Sequence, residues 1–217
     1  MKSKLSQILS GGILCAVGVG IESQNQARTV IEAMMDGGID CFELMRGVPN
    51  NLQLLHELKA TYPETIFGIG TVLSPQAAVN AIEAGADFLV SPYLNLDILK
   101  SCRRHGVISC FGALTPTEIM KGWEVGLDLV KVFPTNAMGG PDYIRTISAP
   151  LSHIRLVGAG GVVLEDVETY FKAGASLVAV DEDLMPPELI RSGDFAKLTK
   201  RAQEYREVLD KSINNST

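Results

Sequence analysis

The 217-residue chain carries 19 Lys and Arg against 25 Asp and Glu, which gives a formal net charge of −6. Its length fits one domain over residues 1–217, long enough to bury a sizeable core. The acidic balance argues against nucleic acid or an anionic membrane as a partner, because both favour basic patches. No apolar run reaches the roughly 18 residues that span a bilayer. We therefore expect a cytoplasmic globular protein.

The two ends of the chain predict helices. The first twelve residues, MKSKLSQILSGG, lack a long apolar core and a clear cleavage site, so they predict a lead-in helix rather than a signal peptide. Residues 192–211 predict a closing amphipathic helix, and residues 212–217 predict a frayed end.

Between these ends, short apolar runs alternate with segments of helical periodicity and predict eight strands. Because the runs are apolar on both faces, they indicate a parallel sheet covered by helices on each side. Eight β/α units in a chain of this length predict an α/β fold of the (β/α)₈ TIM-barrel type, and an open doubly wound sheet is the alternative. The runs cover residues 13–19, 40–45, 66–72, 87–92, 107–113, 128–134, 154–160 and 176–182.

Capping residues mark where several of the intervening helices begin. Ser23 is placed as the N-cap of a helix that stops at a Gly pair. In two places a capping side chain stands directly before a proline at the first helical position, namely Ser74 before Pro75 and Thr115 before Pro116. These signals support the division of the chain into strand and helix units.

The four cysteines show no C-x-x-C spacing, so they do not indicate a zinc site. Three of them fall in apolar, strand-like runs, and reduced core thiols are the expectation for a cytosolic protein. The four are Cys15, Cys41, Cys102 and Cys110.

Polar residues follow the apolar runs at equivalent places around the predicted barrel. Reactive side chains of this fold come from the C-terminal ends of strands. No histidine stands at such an end, because His56 and His105 fall on helices and His153 precedes the seventh strand, so we expect no metal. The strand-end candidates are Glu43, Arg46, Thr71, Ser91, Pro92, Lys131, Phe133, the glycines of GAGG (158–161), Asp181, Glu182 and Asp183.

Lys131 interrupts an apolar, β-branched run, DLVKVFPTN, where an unpaired ammonium is costly to bury. Strand alternation places it on the same face as Leu129 and Phe133, which we expect to be the barrel interior. Two interpretations remain open. Lys131 is either a structural lysine paired with a carboxylate such as Glu43, or an amine with a lowered pKa that attacks a ketone to form a Schiff base.

Other strand-end residues fit such chemistry. Glu43 is suited to pair with the lysine and also to shuttle protons, and these two roles are compatible. The guanidinium of Arg46 and the hydroxyl of Thr71 suit a substrate carboxylate. Backbone N–H groups of the GAGG turn, which contains Gly160 and Gly161, are able to hold an anion.

The motifs resemble those of the 2-keto-3-deoxy-6-phosphogluconate (KDPG)/4-hydroxy-2-oxoglutarate (KHG) aldolase family over about residues 5–210. KVFPTNAMGG is similar to the family's K-F-F-P-A-E-x-x-G-G, and GGIDCFELMR resembles G-G-x-x-x-x-E-V-T-L-R. GIGTVLSPQ resembles G-A-G-T-V-L-N-P, and FLVSPYLN resembles F-x-I-S-P-G.

The resemblance implies residue roles. Lys131 would be the Schiff-base lysine and Glu43 the general acid/base. Thr71, with Arg46, would hold the pyruvate carboxylate, while Pro92 and Phe133 would wall the pocket. It further implies a class I aldolase that cleaves a 4-hydroxy-2-oxo acid to pyruvate and an aldehyde, a homotrimer, and no metal or organic cofactor.

The sequence departs from the family pattern in three places. Arg46 comes three residues after Glu43, where the family has four, and PTN replaces P-A-E. The largest departure concerns the family's G-G-S at the end of strand eight, which binds the substrate phosphate together with the strand-seven glycines. The matching residues here are the acids Asp181, Glu182 and Asp183.

These acids predict a substrate whose far end is not a phosphate. Two unit charges about 4 Å apart repel by about 4 kcal/mol at an effective dielectric near 20, which is roughly a thousandfold in affinity. The far end would instead be hydroxylated or positively charged. In the alternative interpretation the acids point outward and pair with Arg191 or a neighbouring subunit, and GAGG still binds phosphate.

Two other functions are alternatives to the aldolase. A sugar-phosphate isomerase or epimerase needs a basic phosphate cradle, which the acidic end of strand eight opposes. A catalytically silent barrel that binds a keto acid or a protein partner explains an altered phosphate site, but it leaves the costly Lys131 and Glu43 without a purpose.

Overall fold

Eight parallel strands close into a barrel in chain order, and β8 pairs with β1. The computed structural model describes residues 3–214, with side chains described through Ser212. Closure confirms the predicted (β/α)₈ barrel and excludes the open sheet. Each predicted run contains one strand, usually shorter than the run. The strands are β1 Ile13–Val17, β2 Cys41–Leu44, β3 Ile66–Ile69, β4 Phe88–Ser91, β5 Ile108–Ala113, β6 Leu129–Val132, β7 Leu156–Ala159 and β8 Leu177–Val180.

Helices cover the outside of the barrel, so every strand residue except Lys131 is buried. None of the helices within residues 3–214 is long and apolar enough to cross a membrane. The α-helices are α1 Lys4–Gly11, α2 Gln24–Asp36, α3 Asn51–Thr61, α4 Pro75–Glu83, α5 Leu96–His105, α6 Pro116–Glu124, α7 Pro141–Ser148, α8 Val167–Lys172, α9 Pro187–Ser192 and α10 Phe195–Asn214, and short 3₁₀ helices span Asn136–Met138 and Leu164–Asp166.

The predicted N-caps are confirmed where the structure shows their hydrogen bonds. The hydroxyl of Ser23 accepts from the N–H of Gln26, and that of Ser74 accepts from the N–H of Ala77. Thr115 forms a capping box with Glu118, in which each side chain accepts from the backbone of the other residue.

The lead-in helix α1 closes the N-terminal end of the barrel. Its Leu5, Ile8 and Leu9 pack against the side chains that fill the barrel interior. Asp87, at the start of β4, anchors this end, because its buried carboxylate binds Lys4 at 2.5 Å and Lys59 at 2.8 Å. The bottom of the barrel is therefore plugged, and the open mouth lies at the C-terminal ends of the strands.

The closing helix α10 extends further than the sequence suggested. It continues through Asn214, where a frayed end was predicted from residue 212 onward. Ser212 is buried and its hydroxyl donates to the carbonyl of Val208, so the last described turn is held by packing and by a local hydrogen bond. The remainder of the predicted frayed end, residues 215–217, lies outside the described residues.

Candidate active site

Lys131 lies on β6, on the inner face of the barrel. Leu129, two residues earlier on the same strand, belongs to the interior cluster, whereas Val130 and Val132 pack outward against the helices. Lys131 pairs in register with Gly112 of β5. The Nζ atom lies 5.2 Å from the centroid of the Phe133 ring. The side chain therefore projects into the mouth of the barrel, as alternation predicted.

Glu43 projects into the same mouth from β2, which is opposite β6 in the eight-stranded ring. Glu43 is 2% exposed, and its Oε2 has no hydrogen-bond partner among the residues that the structure describes. Burial raises the pKa of the Glu43 carboxyl, the charge of Lys131 opposes that shift, and Asp181 adds to it. Within the described chain, Lys131 and Glu43 form no direct ion pair; they interact across the mouth of the barrel.

Gly70 makes room for the Glu43 carboxylate, and sequence reasoning missed it. A Cβ atom at residue 70 would lie 1.8 Å from Oε1 of Glu43. Gly112 has a similar role, because a Cβ there would lie 2.0 Å from the carbonyl oxygen of Pro92. The only signal in the sequence is a glycine at or next to a strand end, which marks a close approach of another group.

Arg46 and Thr71 line one cavity of about 300 Å³ beside the mouth, together with Gly70. The three-residue spacing from Glu43 therefore still brings Arg46 next to Thr71. Thr71 has a φ of 56°, which is unusual for a β-branched residue and costs conformational energy. The backbone thus holds this hydroxyl in a defined place on the cavity wall, and the two residues form a polar pocket suited to a carboxylate.

Pro92 and Phe133 line a second cavity of about 300 Å³ on the other side of the mouth. Both residues are exposed, and Gly112 lies between their strands. They present apolar surface close to Lys131, which is consistent with the predicted pocket wall.

The strand-eight acids line a third cavity of about 700 Å³, together with Gly161. Gly160 instead faces the ring of Phe133, since a Cβ at residue 160 would lie 3.1 Å from it. The structure thus places both glycines and the three acids at the C-terminal ends of β7 and β8, as the sequence predicted.

The three acids differ in their partners. The Asp183 carboxylate lies 2.6 Å from Arg201 and accepts hydrogen bonds from the hydroxyl of Tyr205 and the N–H of Leu164. Arg201, not Arg191, is therefore the cation that pairs with an acid of this group. Asp181 accepts a hydrogen bond from the N–H of Glu182 through one oxygen, and the Glu182 side chain is exposed.

Comparison with known proteins finds a matching family model and relatives that are similar to this chain. The family model described as KDPG and KHG aldolase matches residues 6–201. The KHG/KDPG aldolase of Escherichia coli K12 is 30% identical over 203 residues, which cover 94% of this chain and 95% of the relative. The 2-dehydro-3-deoxy-6-phosphogalactonate aldolase of the same strain is 29% identical over 192 residues, which cover 85% and 91% of the two chains.

A solved structure has the same fold. The KDPG aldolase of Legionella pneumophila, with pyruvate captured as a covalent carbinolamine intermediate, superposes with a TM-score of 0.84 at 23% identity. The superposition covers 94% of this chain and 98% of that one.

Proposed function

The chain belongs to the KDPG and KHG aldolase family, and from that premise we propose that it is a class I aldolase. It reversibly cleaves a 4-hydroxy-2-oxo acid to pyruvate and an aldehyde. The observation that carries this proposal is the meeting of Lys131, from β6, with the buried and unpartnered Glu43, from β2, in the mouth of the barrel.

The reaction begins with Lys131 as the nucleophile. The lone pair of its neutral amine attacks the C2 carbonyl carbon, and a proton moves from the nitrogen to the carbonyl oxygen to give a carbinolamine. Glu43, in its protonated form, donates a proton to the departing hydroxyl, so water leaves and an iminium forms. The desolvated position of Glu43 favours the neutral carboxyl that this step requires.

The iminium then accepts the electrons of the C3–C4 bond. A base removes the proton of the C4 hydroxyl, the C3–C4 bond breaks, and the aldehyde departs while an enamine of pyruvate remains on Lys131. Protonation at C3 regenerates the iminium, and addition of water releases pyruvate and the free amine. Glu43 carries the proton in these steps, because it is the carboxyl group that interacts with Lys131.

The neighbouring cavities give the substrate its orientation. Arg46 and Thr71 hold the carboxylate next to C2, supported by their shared cavity. Pro92 and Phe133 cover the apolar side of the reacting carbons. We further propose a cytoplasmic homotrimer that needs no cofactor.

Reductive trapping tests this function. Incubation with pyruvate and borohydride should reduce the iminium and leave a stable adduct on Lys131, which mass spectrometry of peptides locates. We expect the adduct to disappear in Lys131→Met and to persist in Lys100→Met, a control on the exposed surface of α5. Absence of an adduct at saturating pyruvate would refute the aldolase and favour an isomerase or a silent barrel.

A further inference from the structure

The two sides of the barrel mouth differ in charge. On the side of β2 and β3, Arg46 and Thr71 line a small cavity. On the side of β7 and β8, the cavity of about 700 Å³ is lined by four acids and one arginine. Lys131 and Glu43 project into the mouth from β6 and β2, and residues that follow β2, β3, β7 and β8 line the two cavities. A substrate whose carboxylate binds on the side of β2 and β3 therefore places its far end next to negative charge. The charged residues of the second cavity are Asp181, Glu182, Asp183, Glu188 and Arg201.

The arginine does not neutralise this cavity. Arg201 is engaged by Asp183, which leaves no net charge on that pair. Glu182 and Glu188 are exposed, and no cation of the described chain lies within ion-pair distance of their carboxylates or that of Asp181. Three negative charges therefore remain for whatever enters the cavity.

Asp181 connects this cavity to the catalytic residues. Ala16 of β1 pairs in register with Glu43, and Cys15 pairs with Val180, so Asp181 is level with Ala16 on the neighbouring strand. Ala16, Glu43 and Asp181 each come two residues after an interior residue of the same strand, so all three face the barrel interior. Because Ala16 carries only a methyl group, it leaves the two carboxylates facing each other. Glu43 is 2% exposed and its Oε2 has no hydrogen-bond partner among the described residues, and it lies close enough to Asp181, which lines the acidic cavity, for that charge to raise its pKa.

The hydrogen-bonding groups of the cavity match hydroxyl groups. Carboxylate oxygens of Asp181 and Glu182 accept, while the guanidinium of Arg201 and the backbone beside Gly161 donate. A hydroxyl donates and accepts, so it satisfies both kinds of group, whereas an ammonium only donates. A phosphate dianion only accepts and is repelled by the three free carboxylates.

We propose that this acidic cavity selects a substrate with an uncharged, hydroxylated far end and rejects one with a phosphate there. Asp181 is the main specificity-determining residue, since it is the cavity acid that the strand register sets level with Ala16, the neighbour of Glu43 on β1. The proposal rests on the aldolase function and specifies the substrate class of the same site, namely unphosphorylated 2-keto-3-deoxy sugar acids.

The experiment compares kcat/KM for pyruvate release from 2-keto-3-deoxygluconate and from its 6-phosphate. We expect the wild-type chain to favour the unphosphorylated acid. Asp181→Asn keeps the acceptor for the Glu182 N–H but removes the charge, so the ratio should shift toward the phosphate by on the order of 30-fold. Added salt should weaken the wild-type discrimination, since a Debye length is about 10 Å at 0.1 M.

Two further variants keep this test decisive. Glu182→Gln alters only an exposed side chain and should shift the ratio in the same direction. It provides the test if Asp181→Asn fails to fold. Glu124→Gln removes an equal charge from α6, outside the cavity, and should leave the ratio unchanged.

The outcomes separate the two proposals. Preference of the wild type for the phosphate, or an unchanged ratio in both cavity variants, would overturn the substrate class while the borohydride adduct upholds the aldolase. Faster turnover of an analogue with a terminal amine would overturn the hydroxylated tail. Absence of both turnover and adduct would instead refute the aldolase itself.

Discussion

Glu43 is a buried acid in an energetically unfavourable environment. A buried carboxylate without a hydrogen-bond partner is unfavourable by several kcal/mol unless it takes up a proton. Lys131 offsets part of this cost from across the mouth, but no direct ion pair forms within the described structure. A glutamine would avoid the charge altogether, so the acid is best explained by proton transfer.

Glu43→Gln should therefore lower activity and change the pH dependence of stability. Loss of a general acid/base reduces kcat by about 10²- to 10⁴-fold. Because burial raises the folded pKa of Glu43, its contribution to stability is fully present below the unfolded pKa and is lost as pH rises through the folded pKa. We expect the stability of the variant relative to wild type to increase as pH rises above about 4.3, the ordinary pKa of a glutamate, measured by urea unfolding. A difference that is independent of pH would contradict the assignment.

At the scale of elements, small residues at strand ends make the mouth of the barrel possible. The Glu43 side chain occupies the space that a side chain at residue 70 would take, and Pro92 approaches the backbone of Gly112. Opposing strands therefore bring functional groups together only because neighbouring strand ends lack side chains.

Gly70→Ala should displace the Glu43 carboxylate, since the new Cβ would lie 1.8 Å from Oε1. A misplacement of about 1 Å in a catalytic group costs on the order of a hundredfold, so kcat/KM should fall by about that factor. Gly47→Ala is the matched control, because nothing lies within 4 Å of a Cβ there, and it should retain activity. Steady-state kinetics and circular dichroism of both variants measure the effect. Full activity in a folded Gly70→Ala chain would show that this space is not needed.

At the scale of the whole molecule, the barrel encloses its thiols. Burial raises the pKa of all four cysteines, that of Cys102 and of Cys110 to about 12. Cys15 and Cys41 lie on β1 and β2 within the barrel wall, where desolvation also raises the pKa of their thiols. Since the thiolate is the reactive form, none of the four is activated. The expectation of unpaired core thiols is confirmed.

Alkylation should therefore report on global unfolding. Iodoacetamide at pH 8 should leave all four cysteines unmodified in the folded chain, because exposing them requires the barrel to open. Labelling should appear together with the loss of circular dichroism as urea is added, and mass spectrometry counts the modified residues. Rapid modification of one thiol without denaturant would reveal local opening that the closed barrel does not provide.

Local patterns in the sequence were enough to predict the strands, the helix caps and the inward direction of Lys131. These features depend on residues close together in the chain, such as Thr115 with Glu118 or Lys131 with Leu129. Motif resemblance supplied the family and the roles proposed for Lys131 and Glu43, but not the space around them.

Which groups meet in the mouth of the barrel depends on contacts between distant parts of the chain. Asp181 lies level with Ala16 and Glu43 because β8 pairs with β1, and this pairing closes the barrel between the two ends of the chain. The pairing of Arg201 with Asp183 depends on how α10 packs against the barrel, and the room for Glu43 depends on the register of β2 with β3. Charge and space at the site are set by such long-range packing, because residues far apart in the sequence carry no local pattern that relates them.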